Sequence, residues 1–398
     1  MTAPEAGVRP AGPLEGLRVA DFTTMLSGPY CTRLLADAGA EVIKVEAPDG
    51  DHIRHAPPLR DGMSSYFGHL NSGKRSLVLD LKAPRGKAVA RDLIAACDVV
   101  VENFRPGVMQ RLGLDYDSLQ SDMPRLVYCA ISGFGQTGPR AAQPAYAPIV
   151  HALSGHDMTH LRYQDDIDRP AKSGIFTADI MSGTFAFGAI QTALLGRARS
   201  GRGQFVDLSL LDTMLNLLIY EVQEAQFPVD RRRALYTPMR AQDGYVIVAM
   251  VNQRNFEQVA AAVGQPDWVV DPRFRDVAAR LENWELLMQE IERWTIARPA
   301  AACESELMAA GVPCARYLTV AEAIRDPQVA ARGLMAEVQD ESGSFLVPNP
   351  PFRFADDSIA VRPRVPALGA DGAAILQDLL GYDPATIAAL RDAGVLGG

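Results

Sequence analysis

This chain predicts an α/β fold built on a parallel sheet covered on both faces, and three observations lead there. Short continuous apolar runs alternate with helical segments over residues 17–135, the pattern of strands buried on both faces and joined by helical crossovers. A long, almost wholly apolar segment follows at 180–197. Beyond residue 212 the texture changes, with Trp268, Trp284 and Trp294 gathered in amphipathic helical sequence. A second, smaller α/β domain is expected there.

The elements follow in order. LRVADF at 17–22 reads as a strand, SGPYCTRLLADAGA as a turn and a helix ending at Gly39, and EVIKVE at 41–46 as the strand that completes a βαβ unit. SLVLDL at 76–81, a helix over 84–96 and DVVVEN at 98–103 form a second unit, and RLVYCAISGFG at 125–135 adds a strand. DGYVIVAM at 243–250 reads as a strand leaving a turn, followed by helices to about residue 330. The Pro/Arg-rich stretch 226–240 reads as the link into the second domain, and 342–354 as the way back. A helix near 370–380 is expected to pack on the first domain.

Composition narrows the function classes. At 398 residues the chain has room for two domains and a large core. A net charge of −9 argues against nucleic-acid and anionic-membrane partners, both of which reward a basic surface. The five cysteines have no CxxC spacing and read as reduced, mostly buried thiols. With no apolar leader and no apolar run of about 18 residues, the expectation is a cytoplasmic protein that spans no membrane.

The stretch 173–212 holds the strongest chemical signal. Asp179 opens a helix carrying Met181, Phe185, Phe187, Ile190, Leu194 and Leu195, with no polar face until Arg197 and Arg199, so an interior helix is expected. Free N–H groups and the helix dipole at such a start would hold a carboxylate ionised. An ionised, desolvated aspartate suits nucleophilic catalysis. Asp is equally a common N-cap, and both readings stay open from the residues alone.

Basic residues gather near strand ends: Lys74 and Arg75, Lys82, Arg105 and Arg111. Open α/β sheets bind ligands in the loops beyond their strands, so this cluster is a candidate anion site. The first turn, TTMLSGPYC, lacks GxGxxG, which weakens a nicotinamide reading even though Glu46 stands where a ribose-binding carboxylate would. His156-Asp157-x-x-His160 has helical spacing but no HExxH pattern and no third ligand besides Asp157. No metal is expected.

Ten segments, in order, resemble the class III CoA-transferase family of the formyl-CoA transferase type, which also contains the alpha-methylacyl-CoA racemases. They run from LEGLRVADFTTMLSGPYCTRLLADAGAEVIKVE through NSGKRSLVLDLKAPRGKA, DVVVENFRPGVMQRLGL, RLVYCAISGFGQTGP and YAPIVHALSG. The Asp179 helix, SGRGQFVDLSLLD, DPRF, AGVPCARYLTVAEAIRDPQVAARGLM and PALGADGAAIL follow. The resemblance implies a Rossmann-like large domain over 1–215, completed by 335–398, and a small domain over 228–330. Linkers would lie at 216–227 and 331–352, and two ring-like chains would interlock as a homodimer.

It also implies that Asp179 is catalytic, with coenzyme A as co-substrate and no tightly bound cofactor. Leu26, Ser27, Leu79, Asp80, Leu81, Lys82, Asn103, Phe104, Arg105 and Arg111 lie on its CoA-contacting segments. Tyr146 stands where the racemase branch carries a proton-transferring histidine, which favours the transferase branch and makes Tyr146 a second catalytic candidate. Leu26 and Ala47 replace a glutamine and an arginine of the formyl-CoA enzyme, which argues against oxalate and formate. Arg231, Arg232, Arg233 and Arg240 could clamp a second carboxylate, so a dicarboxylic acid with succinyl-CoA as donor is the expected substrate pair. The alternatives are a 2-methylacyl-CoA racemase or epimerase and, from another class, a non-catalytic CoA- or nicotinamide-binding protein.

Overall fold

The computed structural model describes residues 12–164, 167–229, 233–355 and 359–398. Two compact units form, Met1–Gln226 with Ala331–Gly398, and Phe227–Ala330. In the first unit the apolar runs become six strands: β1 Arg18–Asp21, β2 Glu41–Glu46, β3 Arg75–Leu79, β4 Val99–Glu102, β5 Val127–Ser132 and β6 Phe205–Ser209. All pair in parallel in the order β3-β2-β1-β4-β5-β6, and Leu396–Gly397 adds an antiparallel strand beside β3. The order reverses between β1 and β4, the switch point where doubly wound sheets leave a crevice.

Alternate residues of these strands feed two cores, which is why most positions on both faces are apolar. Helices of the first unit, among the described residues, include α1 Ser27–Asp37, α2 Ser65–Asn71, α3 Pro84–Ala95, α4 Val108–Leu112, α5 Ala147–Leu153, α6 His156–Arg162, α7 Thr177–Ser200, α8 Leu210–Leu217 and α9 Ile219–Gln226. Ala20, Ile43, Leu77, Val100 and Tyr128 pack against Val89 and Leu93 of α3 and against the C-terminal segment through Ile375 and Leu390. Val19, Val42, Val101, Cys129 and Ile131 pack against Cys31 and Leu35 of α1, Ile190 of α7 and Met214 of α8.

Two expectations need correcting. The stretches read as linkers carry regular structure: α9 occupies most of 216–227, and 331–352 holds an antiparallel hairpin, Met335–Asp340 with Gly343–Pro348. The Gly and Pro there mark a turn and a strand end rather than a connection, and Val338 and Val347 are fully buried. Nor is α7 interior on all faces. Its buried stripe is mostly small (Ala178, Ser182, Gly183, Ala186, Ile190, Ala193), whereas Phe185 and Leu195 are 47% and 70% exposed. Overall apolarity hid that segregation by size.

The second unit has its own core. Strands β7 Met239–Ala241, β8 Gly244–Val248 and β9 Cys314–Arg316 form an antiparallel sheet with β8 in the middle. Val246, Phe256, Trp268, Phe274, Leu287, Ile291 and Leu307 fill the space between sheet and helices.

Candidate active site

The turn after β1 reaches its shape without a glycine fingerprint because a side chain holds each of its amides. Thr23 N–H donates to Asp21 Oδ1 at 3.0 Å, Thr24 N–H to Asn103 Oδ1 at 2.9 Å, and Met25 N–H to Asp51 Oδ1 at 3.2 Å. Met25 sits at φ 66°, a left-handed conformation that strains a residue bearing a Cβ, and these tethers keep it there. Asn103 Nδ2 also donates to Thr24 O at 2.7 Å, so Asn103 ties the β1 turn to the β4 end across the switch point.

Beneath the turn lies a buried charge network. Asp21 accepts from the Thr32 hydroxyl and from Lys74 Nζ at 2.9 Å, while Lys44 Nζ donates to Thr23 O and Asp51 Oδ2. Burial opposes ionisation of Asp21, but Lys74, Lys44 and the two threonine hydroxyls outweigh it and hold its carboxyl below the ordinary value. Burial in turn pulls Lys74 down to about 8 in spite of Asp21.

This removes part of the anion cluster read from the sequence. Lys74 is buried and committed to Asp21, and Arg75 begins β3, where it pairs with Glu41 at the opposite end of the strands. Glu46 is also committed: it pairs with Arg54 through two bonds of 2.8 and 2.7 Å, and accepts from Ser76 Oγ and Asp51 N–H. A carboxylate so engaged has little capacity left for a ribose, which weighs against the nicotinamide reading.

The remaining residues lie at or beyond the C-terminal strand ends. Leu79 closes β3, with Asp80, Leu81 and exposed Lys82 following; Asn103, Phe104 and exposed Arg105 follow β4; Arg111 is exposed on α4. Side chains order these loops, as Lys82 N–H donates to Asp80 and Phe104 N–H to Glu102 Oε2. Glu102 itself is raised to about 8 by burial.

Asp179 lies in the first turn of α7, at its third residue. The N-cap is Phe176, which has no side chain to cap with, so the N-cap reading of Asp179 is wrong. Its carboxylate accepts no hydrogen bond from the described residues, and burial raises its pKa to about 6. The expected dipole effect, a carboxylate held firmly ionised, is therefore outweighed by desolvation.

Close packing sets where Asp179 stands. A Cβ on Gly183 would lie 2.6 Å from Ser27 O, so this glycine lets α7 rest on the start of α1. Ile180 joins Leu26, Tyr30 and Tyr66 in one apolar cluster, which brings the first turn to the Asp179 helix. The sequence reading missed Tyr66, on α2. Burial raises its phenol, and the negative charge of Asp179 raises it further. A tyrosine in an unremarkable SSYFGHLN segment offers no local signal; only the fold pairs it with Asp179.

Tyr146 is the N-cap residue of α5, 63% exposed, with no side-chain cap bond. Arg240 lies on β7 in the second unit, exposed, its N–H donating to Glu292 Oε1 at 2.7 Å. Arg231 and Arg232 fall outside the described residues, and Arg233 is exposed.

The histidines form a cluster that the spacing only half revealed. His151 lies tilted at 5.0 Å from His156, which meets His160 edge-on at 4.5 Å and has its Nδ1 3.0 Å from Asp157 Oδ1. Donor atoms of His151, His156 and Asp157 lie within 4.8 Å of one another. The set nevertheless suits a metal poorly: Ala178 N–H donates to His151 Nε2 at 3.0 Å, which uses the one lone pair of a neutral imidazole and leaves a proton on Nδ1.

No described helix is long and apolar enough to cross a membrane. Comparison with known proteins then places the chain. CoA-transferase family III matches residues 14–372. An acetyl-CoA:oxalate CoA-transferase of Acetobacter aceti is 36% identical over 93% of this chain and 96% of its own length. The mouse succinyl-CoA:glutarate CoA-transferase is 32% identical over 96% and 90%. Among solved structures, a CAIB/BAIF family protein from Brucella suis is 35% identical, covers 93% of this chain and 100% of its own, and superposes with a TM-score of 0.82. With a parallel sheet whose order reverses between β1 and β4 and a family match over residues 14–372, this chain is an enzyme of the transferase type and belongs to CoA-transferase family III.

Proposed function

We propose that the chain moves coenzyme A from an acyl-CoA to a free carboxylic acid, with Asp179 as the covalent nucleophile. The observation that carries this reading is Asp179 itself, a carboxylate at the start of α7, beside Tyr66 and the first-turn cluster, raised to about 6 by burial. It is still ionised at neutral pH, but less solvated than a surface aspartate and so readier to attack.

Asp179 attacks the thioester carbonyl; the C–S bond breaks, leaving an aspartyl mixed anhydride and CoA thiolate. The thiolate attacks the aspartyl carbonyl, forming an aspartyl-CoA thioester and releasing the first acid as its carboxylate. The acceptor carboxylate attacks that thioester, forming a second anhydride and freeing the thiolate again, which then takes the acyl group and restores Asp179. Each oxyanion needs positioned N–H donors, and the anhydrides need protection from water. Backbone amides of loops over the pocket serve the first need, and an interlocked homodimer the second. Tyr146 orients the thioester.

Coenzyme A rests along Leu26, Ser27, Leu79, Asp80, Leu81, Lys82, Asn103, Phe104, Arg105 and Arg111. Three of the exposed cations, Lys82, Arg105 and Arg111, meet its phosphates on an otherwise acidic protein. We assign a dicarboxylate as acceptor and succinyl-CoA as donor, with Arg240 pairing the non-reacting carboxylate. The name of the mouse relative supports both parts, since it pairs succinyl-CoA with glutarate, an acid of two carboxylates. The free cysteines suit a reducing cytoplasm.

The test is Asp179→Ala together with trapping. Transfer to labelled acid should be abolished, and wild type treated with acyl-CoA and then hydroxylamine should carry the modification on the peptide containing Asp179. A variant that still transfers CoA at the wild-type rate would end this mechanism. For the substrate, wild type should favour succinate-type over monocarboxylate acceptors, and Arg240→Ala should lose that preference.

A further inference from the structure

The first turn of α7 has a capping problem. Its N-cap residue, Phe176, cannot accept the exposed amides with a side chain, and Asp179 does not fold back to do so. The Ala178 N–H, immediately before Asp179 in the chain, instead donates to Nε2 of His151, 27 residues upstream on α5, at 3.0 Å. His151 is 2% exposed. At the other end of α7, buried Arg197 donates to Arg125 O at 3.1 Å and pairs with Asp98 at 3.1 Å. The helix is therefore pinned at both ends by side chains remote in sequence.

We propose that His151 is a positioning residue for the Asp179 nucleophile: its Nε2 fixes the first turn of α7 and so the direction in which Asp179 presents its carboxylate. The inference rests on the reading of Asp179 as nucleophile. A backbone N–H can only donate, so Nε2 must be the acceptor and the proton must sit on Nδ1. The surroundings keep that form: burial and the neighbouring imidazoles of His156 and His160 lower His151, against an opposing pull from Asp157. Protonation at Nε2 would set one donor against another and release the turn. His156 backs the ring at 5.0 Å and is itself fastened to Asp157. The histidine cluster thus acts as a brace behind the nucleophile.

Three substitutions separate positioning from mere packing. Gln places an oxygen about where Nε2 lies, Asn falls short by one bond, and Leu fills space without an acceptor. His151→Gln should retain kcat within about threefold. His151→Asn and His151→Leu should lose on the order of 10–100-fold in kcat, the scale of small misplacements of a reacting group, with KM for acyl-CoA within about twofold. Hydroxylamine trapping at Asp179 should slow in the same two variants. The inference is overturned if folded His151→Leu keeps kcat within threefold, or if His151→Gln falls more than tenfold; the second outcome is decisive even where Asn and Leu variants fail to fold. An active Asp179→Ala would instead overturn the nucleophile reading.

Discussion

Asp179 is held in a place that disfavours its charge, and two measurements follow. A carboxyl raised by burial to about 6 must lose its proton to react, so kcat/KM should fall with decreasing pH on a limb near pH 6. Stability should run the other way. The folded state resists ionisation of this group, so the penalty is absent below the ordinary value of 3.8, grows as pH rises, and is complete above about 6. Asp179→Asn should therefore raise the unfolding free energy at pH 8 by up to about 3 kcal/mol, at 1.36 kcal/mol per unit, while abolishing transfer; the gain should vanish near pH 4. The basic residues divide in the same spirit. Lys74→Ala removes the ion-pair partner of buried Asp21 and should cost about 3–5 kcal/mol of stability. Lys82→Ala and Arg111→Ala should barely alter the melting temperature and should raise KM for acyl-CoA at low salt. From sequence alone these three cations looked equivalent, because charge and spacing do not report which one is sealed under a helix.

At the scale of elements, the contact of α7 on α1 decides the site. Gly183→Ala would place a methyl 2.6 Å from Ser27 O, against backbone, so one helix must shift. The expected cost is about 1–3 kcal/mol by thermal unfolding, with a matching loss of kcat because the displaced segment carries Asp179 one turn away. The strands were legible beforehand: EVIKVE became Glu41–Glu46 without a change of boundary, and DVVVEN became Val99–Glu102, because a strand buried on both faces needs a short, predominantly apolar run. The hairpin at 335–348 was hidden because its second strand starts at Gly343 and ends at Pro348, residues that mimic a loop. The brace at His151 was hidden for another reason. A cap supplied from 27 residues away leaves no mark in the local pattern that signals an ordinary N-cap.

For the whole molecule, exposed apolar side chains point to association. Phe185 and Leu195 on α7, Leu215 and Leu217 on α8, and Ile219 on α9 are exposed in the single chain, on helices that pack in sequence. Side chains of this size on adjoining helices suit a protein interface. Light scattering should return twice the chain mass of 43.0 kDa. Leu195→Glu combined with Phe185→Glu should shift the protein toward monomer and suppress transfer, whereas a monomeric wild type would remove the interlocked dimer from the proposal.

The sequence by itself determined the periodicities: which runs become parallel strands, where the texture changes, and that one aspartate opens a long apolar helix. Those properties depend on neighbours a few residues apart, and the chain states them locally. The tertiary structure alone decided what each charged or polar group faces. It turned Lys74 and Glu46 inward into closed pairs, set Tyr66 beside Asp179, and put His151 behind the helix that carries Asp179. The physical reason is that desolvation and hydrogen bonding depend on distance in space, and distance along the chain carries no record of it.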